Sequence, residues 1–233
     1  MQAWQALSEG RYQEALLNYD EVLSHGESLG ERMNRGTTRL LIGDHQGALS
    51  DFQTARELQQ HSAVKVANPQ VGVAFWLDGQ RQLACEDWAD EIRRRQTGDI
   101  THSDGAGGVV VPALLWWASC HEGLSEWQER AVQELRNRWR TKQCQRSRWP
   151  GSIAAFLLGH LSEEDFITAA SSKYAAVQAQ YLCQCYFYAG ATHLAKAQLN
   201  DYRSYLRLSL SSFVASTILD PEYHLARAEL NEQ

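Results

Sequence analysis

The sequence predicts an all-α fold built from a repeated pair of short helices. Helix-forming residues dominate the 233 residues, only four are proline, and the β-branched runs typical of strands are nearly confined to residues 109–111. A glycine, an alanine and an aromatic residue at fixed spacing, Gly43, Ala48 and Phe52, recur 33 residues earlier and 36 residues later. Three copies at a nearly constant period indicate a repeat array, whose units must stack to bury their apolar faces.

Each copy reads as two helices joined at a glycine. The first helix is apolar-periodic, and the second carries the alanine and the aromatic residue four positions apart on one face. The alanine lets the two helices approach closely, and the aromatic residue fills the space between this pair and the next. The equivalent positions are Gly10, Ala15 and Tyr19 in the first copy and Gly79, Ala84 and Trp88 in the third.

This pattern resembles the tetratricopeptide repeat (TPR), which has a glycine in its first helix, a turn glycine, and A-x3-F in its second helix. In the second copy the matching residues are Gly36, Gly43, Ala48, Phe52 and Ala55. The resemblance covers residues 2 to about 95. It implies a TPR-like right-handed helical solenoid of about five helix pairs with a C-terminal capping helix.

The predicted organisation is one continuous solenoid domain in three parts. Residues 1–95 are three TPR-like repeats. Residues 96–148 predict a degenerate helical pair, reached through a glycine-rich loop at residues 105–108 and turning at Gly123.

Residues 149–233 predict C-terminal TPR-like helices and a cap. Pro150 fits the first turn of a short helix, Ser162 suits the start of another, and the last helix starts near Pro221. In the final pair, Gly190 takes the small position of the first helix. This part is similar in pattern to bacterial TPR proteins of the lipoprotein-adaptor kind.

Composition favours a globular protein in a reducing compartment. Hydrophobic residues make up 44% of the chain, which is enough for a core. The N-terminus lacks a signal-peptide pattern, and the uncharged stretch at residues 105–120 has 16 residues, short of the roughly 20 that span a bilayer. The five cysteines lack the density of a disulfide scaffold. We expect a cytoplasmic protein without membrane insertion, whose thiols are reduced and mostly buried.

The strongest candidate for a small-ligand site is the loop "SDGAGGVV" at residues 103–110, because consecutive backbone N–H groups can hold an anion. It lacks the G-K-[ST] ending of a phosphate loop, so a loop that leads into a helix is favoured. His102 and Asp104 are a candidate acid/base pair, although a capping role is favoured. We therefore predict no catalytic residue, no cofactor and no enzyme activity.

Two cysteine-containing motifs suggest a metal site. His121 and Glu122 follow Cys120 but lack the second histidine of H-E-x-x-H. Cys183 and Cys185 are two positions apart, so on a helix they point in different directions. Buried packing is favoured for both motifs, and no metal site is predicted.

The TPR resemblance implies a concave groove lined by the first helix of each repeat. The candidate partner contacts on this groove are Trp4, Met33, Asn34, Thr37, Leu40, Gln70, Val73 and Trp76. These residues predict a largely apolar groove. No basic residue joins them, unlike the chaperone-binding subclass, whose lysines and asparagines hold a terminal carboxylate.

Charge is distributed unevenly along the chain. Residues 93–148 contain ten basic and six acidic residues, and the remainder contains twelve and twenty-two. Arg136, Arg138 and Arg140 alternate with tryptophan in a segment that is typical of nucleic-acid binding, and with Trp116 they form a candidate secondary surface. The net charge of −6 opposes attraction to phosphate, so a solvated helix end is favoured over nucleic acid.

The predicted function is a non-catalytic protein–protein interaction module that binds a protein partner through the groove. The most specific hypothesis is a bacterial immunity or antitoxin-type inhibitor of one toxin, because the chain is a compact, leaderless and acidic repeat protein without an attached effector domain. The partner would be a toxin or another basic protein. A general TPR adaptor or scaffold is the alternative, and RNA binding through residues 136–148 is the less favoured one.

Overall fold

The computed structural model of the chain describes residues 2–62, 64–101, 104–121 and 123–231. Across these residues the chain forms fourteen α-helices and one 3₁₀ helix. No β-strand forms within these ranges, and an isolated bridge joins Val66 to Thr101. The predicted all-α class is confirmed for the described chain.

The first three predicted repeats each form a pair of helices. The pairs are α1 (Gln2–Ser8) with α2 (Tyr12–Ser24), α3 (Leu29–Ile42) with α4 (His45–Gln60), and α5 (Gln70–Leu77) with α6 (Arg81–Gln96). Neighbouring pairs also pack on each other, α2 against α3 and α4 against α5. Each unit therefore buries its apolar face on the next.

Two adjacent residues set the turn inside the second pair. Gly43 ends α3 with a φ of 84°, a left-handed conformation that glycine adopts easily because it has no Cβ. Asp44 then caps α4, and its Oδ1 accepts a hydrogen bond from the backbone N–H of Gly47 at 2.9 Å. The end of one helix and the start of the next are thus both satisfied locally.

Small residues in the first helix of a pair face aromatic residues in the second. A Cβ added to Gly36 would lie 2.6 Å from the ring of Phe52, and one added to Gly72 would lie 2.3 Å from Nε1 of Trp88. Both aromatic rings are fully buried. Only a hydrogen atom fits at these two positions, so glycine allows the paired helices their close approach.

The rest of the chain continues the paired arrangement with helices of more varied length. The elements are α7 (Val110–Ser119), α8 (Glu126–Trp139), α9 (Lys142–Arg146), α10 (Gly151–Leu157), α11 (Glu163–Ala169), α12 (Ala175–Leu194), α13 (Leu199–Ser211), the 3₁₀ helix (Ala215–Leu219) and α14 (Pro221–Asn231). Helix α7 packs on α8, α10 on α11, and α12 on α13. The described residues therefore contain six pairs, one more than the sequence predicted.

The additional pair arises where the helical pattern is interrupted. Between residues 142 and 169 the chain forms three helices of five to seven residues each. Pro150 precedes α10, and Gly159, with a φ of 76°, follows it. The two short helices predicted after Pro150 and Ser162 are confirmed as α10 and α11. Helices this short carry too few turns for a clear apolar period, so the repeat pattern did not identify them as a separate pair.

Helix α12 occupies a central position, because it packs on α7, α10, α11, α13 and α14. It has 20 residues and includes the glutamines Gln178, Gln180 and Gln184. Within the ranges that the structure describes, no helix has both the length and the apolar character needed to cross a membrane.

The core connects the two halves of the chain. One cluster of buried apolar residues extends from Leu40 to Ala226. A second, smaller cluster on the first repeat contains Leu7, Tyr19 and also Ile218 from the 3₁₀ helix. The C-terminus thus returns to the N-terminal repeats, whereas the right-handed solenoid stays a prediction.

Replacing Gly72 by Ala should lower the free energy of unfolding by about 1–3 kcal/mol, the usual cost of overpacking a core. The added methyl group would overlap the indole of Trp88, which cannot withdraw because it is buried and donates a hydrogen bond from Nε1 to the carbonyl oxygen of Pro69 at 3.0 Å. Chemical denaturation at 25 °C measures the change.

The matched control is Gly30→Ala in α3, where nothing lies within 4 Å of an added Cβ. This variant should gain up to about 1 kcal/mol, because alanine has the higher helix propensity. Equal effects of the two substitutions would contradict the close approach at Gly72.

Candidate functional site

The C-terminal segment, residues 214–231, lies against the first helices of the second and third repeats. Its helix α14 packs on α5, α12 and α13. Nε2 of Gln70 donates a hydrogen bond to the carbonyl oxygen of Leu219 at 2.7 Å, and Nη1 of Arg227 donates one to the carbonyl oxygen of Leu41 at 3.0 Å. The segment therefore covers much of the face that the sequence predicted to be a partner-binding groove.

The predicted groove residues lie at different depths. The buried ones are Thr37, Leu40, Gln70, Val73 and Trp76. Met33 and Asn34 are half-buried, and Trp4 is 37% exposed. Val73 and Trp76 are buried, so a partner reaches neither in this conformation, and their role as partner contacts stays a prediction.

Trp76 is part of the core. Its ring centroid lies 4.5 Å from that of Trp117 and 4.9 Å from that of His121. The guanidinium carbon of Arg81 lies 5.1 Å from the ring centroid of Trp76, within the range of a cation–π contact. Trp116 is also buried, so the two adjacent tryptophans Trp116 and Trp117 both pack inside the protein.

An open cleft remains beside the C-terminal segment, and we call it the interior cleft. It has a volume of about 490 Å³, within the range of small-ligand sites. Met33 and Gln70 of the predicted groove line it, together with residues of α12 and residues 219–221. The interior cleft is therefore the part of the predicted groove that the C-terminal segment leaves open.

The walls of the interior cleft divide into an apolar and a polar part. The apolar side chains include Leu29, Met33, Val66, Val110 and Val111. The polar side chains are Gln59, Asn68, Gln70, Gln180, Gln184, Asp104 and Asp220. No lysine, arginine or histidine lines the cleft among the described residues, so its polar groups are amides and carboxyl groups.

Two buried oxygen atoms at the cleft have no hydrogen-bond donor among the described residues. One is Oε1 of Gln70, whose Nε2 is held by Leu219. The other is Oδ2 of Asp220, whose Oδ1 accepts a hydrogen bond from Nε2 of Gln180 at 2.8 Å. Buried acceptors in proteins are normally paired, so these two atoms retain unused capacity to bind a donor.

Asp220 and Glu222 form a buried acidic pair at the start of α14. Burial, and after it the charge of Glu222, raises the pKa of Asp220 well above its ordinary value. Burial also raises the pKa of Glu222, while the hydroxyl of Tyr188, which donates to Oε1 at 2.7 Å, acts in the opposite direction. Each carboxyl group thus holds its proton to a higher pH than an exposed one does.

The glycine-rich loop uses its backbone N–H groups internally. Oδ1 of Asp104 accepts hydrogen bonds from the N–H groups of Ala106 and Gly108, and Oδ2 accepts them from Val109 and Val110, at 2.8 to 3.3 Å. The backbone N–H groups that could have bound a phosphate therefore donate to the carboxylate of Asp104 instead. His102, the other half of the candidate acid/base pair, lies outside the described residues.

The cysteines lie in packed surroundings. Cys85, Cys144, Cys183 and Cys185 are buried free thiols, and Cys120 is half-buried. Burial raises the pKa of Cys183 and that of Cys185 to about 12, so both remain protonated at neutral pH. Within the described chain, no three histidine, cysteine or carboxylate side chains come together as metal ligands.

The three arginines of the candidate secondary surface differ in their surroundings. Nε of Arg138 contacts Oε1 of the buried Glu134 at 2.9 Å, so this arginine is part of a structural ion pair. Arg136 and Arg140 are exposed. Trp116 is buried and does not share a surface with them.

The residues at the interior cleft that sequence reasoning missed are Asp220, Gln180 and Gln184. Asp220 precedes Pro221 at the start of a helix, where capping alone explains an aspartate. The sequence did contain one signal. Gln184 lies within the otherwise apolar run "YLCQCYFYAG", and Gln180, four positions earlier, directly precedes this run. Polar residues at that spacing share one face of a helix, and here that face lines the cleft.

Comparison with known proteins leaves the family open. No protein-family model matches the chain, and no curated protein matches it either. The functional argument therefore depends on the geometry of the described residues.

The C-terminal segment also contains a buried histidine that should make stability depend on pH. Nε2 of His224 donates a hydrogen bond to the carbonyl oxygen of Ile218 at 2.7 Å, and burial lowers its pKa to about 4. An unfolded histidine has a pKa of about 6.5, so the unfolded chain binds this proton more tightly. The stabilising contribution is complete above about pH 6.5 and is lost as the pH falls towards 4.

We expect wild type to lose up to about 1.4 kcal/mol more per pH unit than His224→Gln between pH 6.5 and 4, the slope for one proton. Urea unfolding at several pH values measures both slopes, and the comparison cancels the carboxyl groups that both proteins share. His25→Gln, at an exposed position, should keep the wild-type slope. A slope that His224→Gln leaves unchanged would contradict the neutral, buried state of this histidine.

Proposed function

We propose that the protein is a non-catalytic interaction module that binds a protein partner at the interior cleft. The observation that supports this proposal is the cleft itself, an open volume between a repeat face and the C-terminal segment. Met33 and Gln70 line this cleft and lie on the first helices of their repeats. In the TPR family, which the repeats resemble, the first helices form the partner-binding face. A side chain of the partner would enter the cleft, and its neighbours would contact exposed groups such as Leu29 and Leu219 at the rim.

The charge distribution favours a basic partner. Outside residues 93–148 the acidic residues outnumber the basic ones by ten, from 22 and 12. Complementary charge speeds the encounter of two proteins and fixes their orientation more than it adds affinity. The more specific form of the proposal is therefore an immunity or antitoxin-type inhibitor of a basic bacterial toxin, and a general adaptor is its alternative.

Replacing Gln59 by Trp should abolish partner binding, because the larger side chain would fill the interior cleft from the end of α4. Gln59 is half-buried and lines the cleft, so the change leaves the core intact. Affinity capture from the source cell, followed by titration with the purified partner, should show at least a tenfold loss of affinity.

Gln60→Trp is the matched control, because Gln60 is exposed and does not line the cleft. It should bind the partner as wild type does. A partner that both variants bind equally would place the interface elsewhere. A partner that is a toxin, suppressed on co-expression with wild type but not with Gln59→Trp, would select the inhibitor over the adaptor.

A second candidate function rests on the basic segment at the end of α8 and in α9. Four cations there are exposed and have no carboxylate partner among the described residues. They are Arg136, Arg140, Lys142 and Arg146. Unpaired cations beside Trp139 and Trp149 are a surface that favours a nucleic-acid backbone, although Trp149 itself is buried.

RNA binding through this segment would produce salt-sensitive retention on a polyanion column. Replacing Arg136, Arg140 and Arg146 by Gln should then remove the retention, since each phosphate contact contributes to the salt dependence of binding. Replacing three exposed arginines elsewhere, Arg11, Arg93 and Arg207, matches the charge change. Equal loss in both triple variants would indicate net charge alone and would contradict a specific site.

A further inference from the structure

The buried carboxylates of this protein fall into two groups. Those of the first group are paired with arginine: Asp51 with Arg32, Arg35 and Arg39, Glu91 with Arg56, and Glu134 with Arg138. Asp220 and Glu222 are also buried, but within the described ranges neither has a basic partner. A buried carboxyl group without a cation costs free energy, so this pair, of which Asp220 lines the interior cleft, requires an explanation of its own.

The two unused acceptors lie on either side of one contact, with Gln70 in α5 and Asp220 in the C-terminal segment. Gln70 is 6% exposed and is bonded through its Nε2 to Leu219, the residue before Asp220. Asp220 is 7% exposed and lines the cleft. Oε1 of Gln70 and Oδ2 of Asp220 therefore offer two acceptors to one donor-bearing group in the same part of the cleft.

The carboxyl groups that line the cleft disfavour an anionic ligand. Asp104 and Asp220 both line it, and its described lining contains no basic side chain. All four lone-pair sites of Asp104 are taken by backbone N–H groups, so its negative charge has a fixed position but no free acceptor. An anionic ligand would meet like charge in a partly desolvated site, whereas a cation would meet opposite charge.

We propose that the interior cleft binds a cation carried on an aliphatic chain, an ammonium or guanidinium group, with Asp220 and the amide oxygen of Gln70 as its acceptors. The apolar wall of Leu29, Met33 and Val66 takes the aliphatic chain. An arginine or lysine side chain has this combination of an apolar stem and a charged end.

The same chemistry has two sources, a basic side chain of a protein partner and a free alkyl amine or guanidine. The first source deepens the function proposed above and rests on it. The second source, a free alkyl amine or guanidine, would need only the interior cleft and no protein partner. The cation of the ligand would pair with Asp220, as the chain's own arginines pair with Asp51, Glu91 and Glu134.

Binding should be linked to proton release. A cation favours the ionised form of Asp220, and burial has raised the pKa of that carboxyl group, so the site loses a proton when the cation enters. The titratable groups around Asp220 are Glu222, Tyr188, Cys183 and Asp104. The tyrosine and the thiol stay neutral at pH 7, because burial raises the pKa of each.

The first experiment titrates wild type with agmatine, a four-carbon chain with a guanidinium at one end and an ammonium at the other, by calorimetry at pH 6.5 and 8. Agmatine keeps its charge over this range, so an affinity that rises with pH and a heat that depends on the buffer report proton release by the protein. Asp220→Asn should bind at least tenfold more weakly and lose both effects. Asp99→Asn, at an exposed aspartate, should behave as wild type.

A second variant tests the site without touching the acidic pair. Gln59→Arg should place a tethered guanidinium in the cleft, raise the thermal midpoint and prevent agmatine binding. Gln60→Arg, at the exposed neighbouring position, should do neither. Sodium chloride and tetramethylammonium at equal ionic strength measure the nonspecific salt effect.

Each outcome decides the inference. Agmatine binding that is lost in Asp220→Asn supports it for a free ligand, and binding of N-acetyl-arginine amide or an arginine peptide alone supports it for a partner's side chain. No response beyond that of tetramethylammonium, or equal binding by Asp220→Asn, overturns it. A protein partner that is lost in Gln59→Trp yet indifferent to Asp220→Asn would leave the proposed function standing and overturn the cation site.

Discussion

The docking of the C-terminal segment onto the second and third repeats is the constraint on which the candidate site depends. Two hydrogen bonds, from Gln70 to Leu219 and from Arg227 to Leu41, join parts of the chain that are far apart in sequence. Helix α14 covers much of the predicted groove, and beside it lie the interior cleft, lined by Asp220, and a second cleft, lined by His224. Without this contact, the faces of α3 and α5 would be more open and Asp220 would lose part of its burial.

The sequence predicted the parts of the fold that arise from local repetition. The glycine of one helix and the aromatic residue of the next lie 16 residues apart in both Gly36–Phe52 and Gly72–Trp88, so a fixed spacing encodes a fixed contact. Each glycine leaves room for a ring within its own helix pair. Because the same requirement recurs in the second and third units, it appears as a period that can be read without knowing the three-dimensional structure.

The candidate site could not be predicted in the same way, because its residues meet across long sequence separations. Gln70 and Leu219 are 149 positions apart, and no periodic pattern in the sequence predicts their contact. A helix that begins after Asp220 satisfies every local rule for a capping helix, whether it ends the array or folds back against the first helices of the repeats. Sequence reasoning named Met33 and Gln70 as groove positions; both line the interior cleft, and their role in partner binding stays a prediction. The residues that the C-terminal half of the chain contributes to the cleft were not identified from the sequence.

The buried carboxyl groups differ in whether an arginine of the described chain pairs with them. Asp51 is buried with three arginines around it, so its ion pairs are complete in the folded chain. Asp220 lacks such a partner among the described residues, and burial raises its pKa well above the ordinary value, because a neutral carboxyl group costs less to bury than an unpaired charge. Apolar residues of the same shape would give the docked C-terminal segment a higher stability. Under the proposed cation binding, a positive charge that enters the cleft would favour the ionised form of Asp220, so the site would gain charge when the ligand binds.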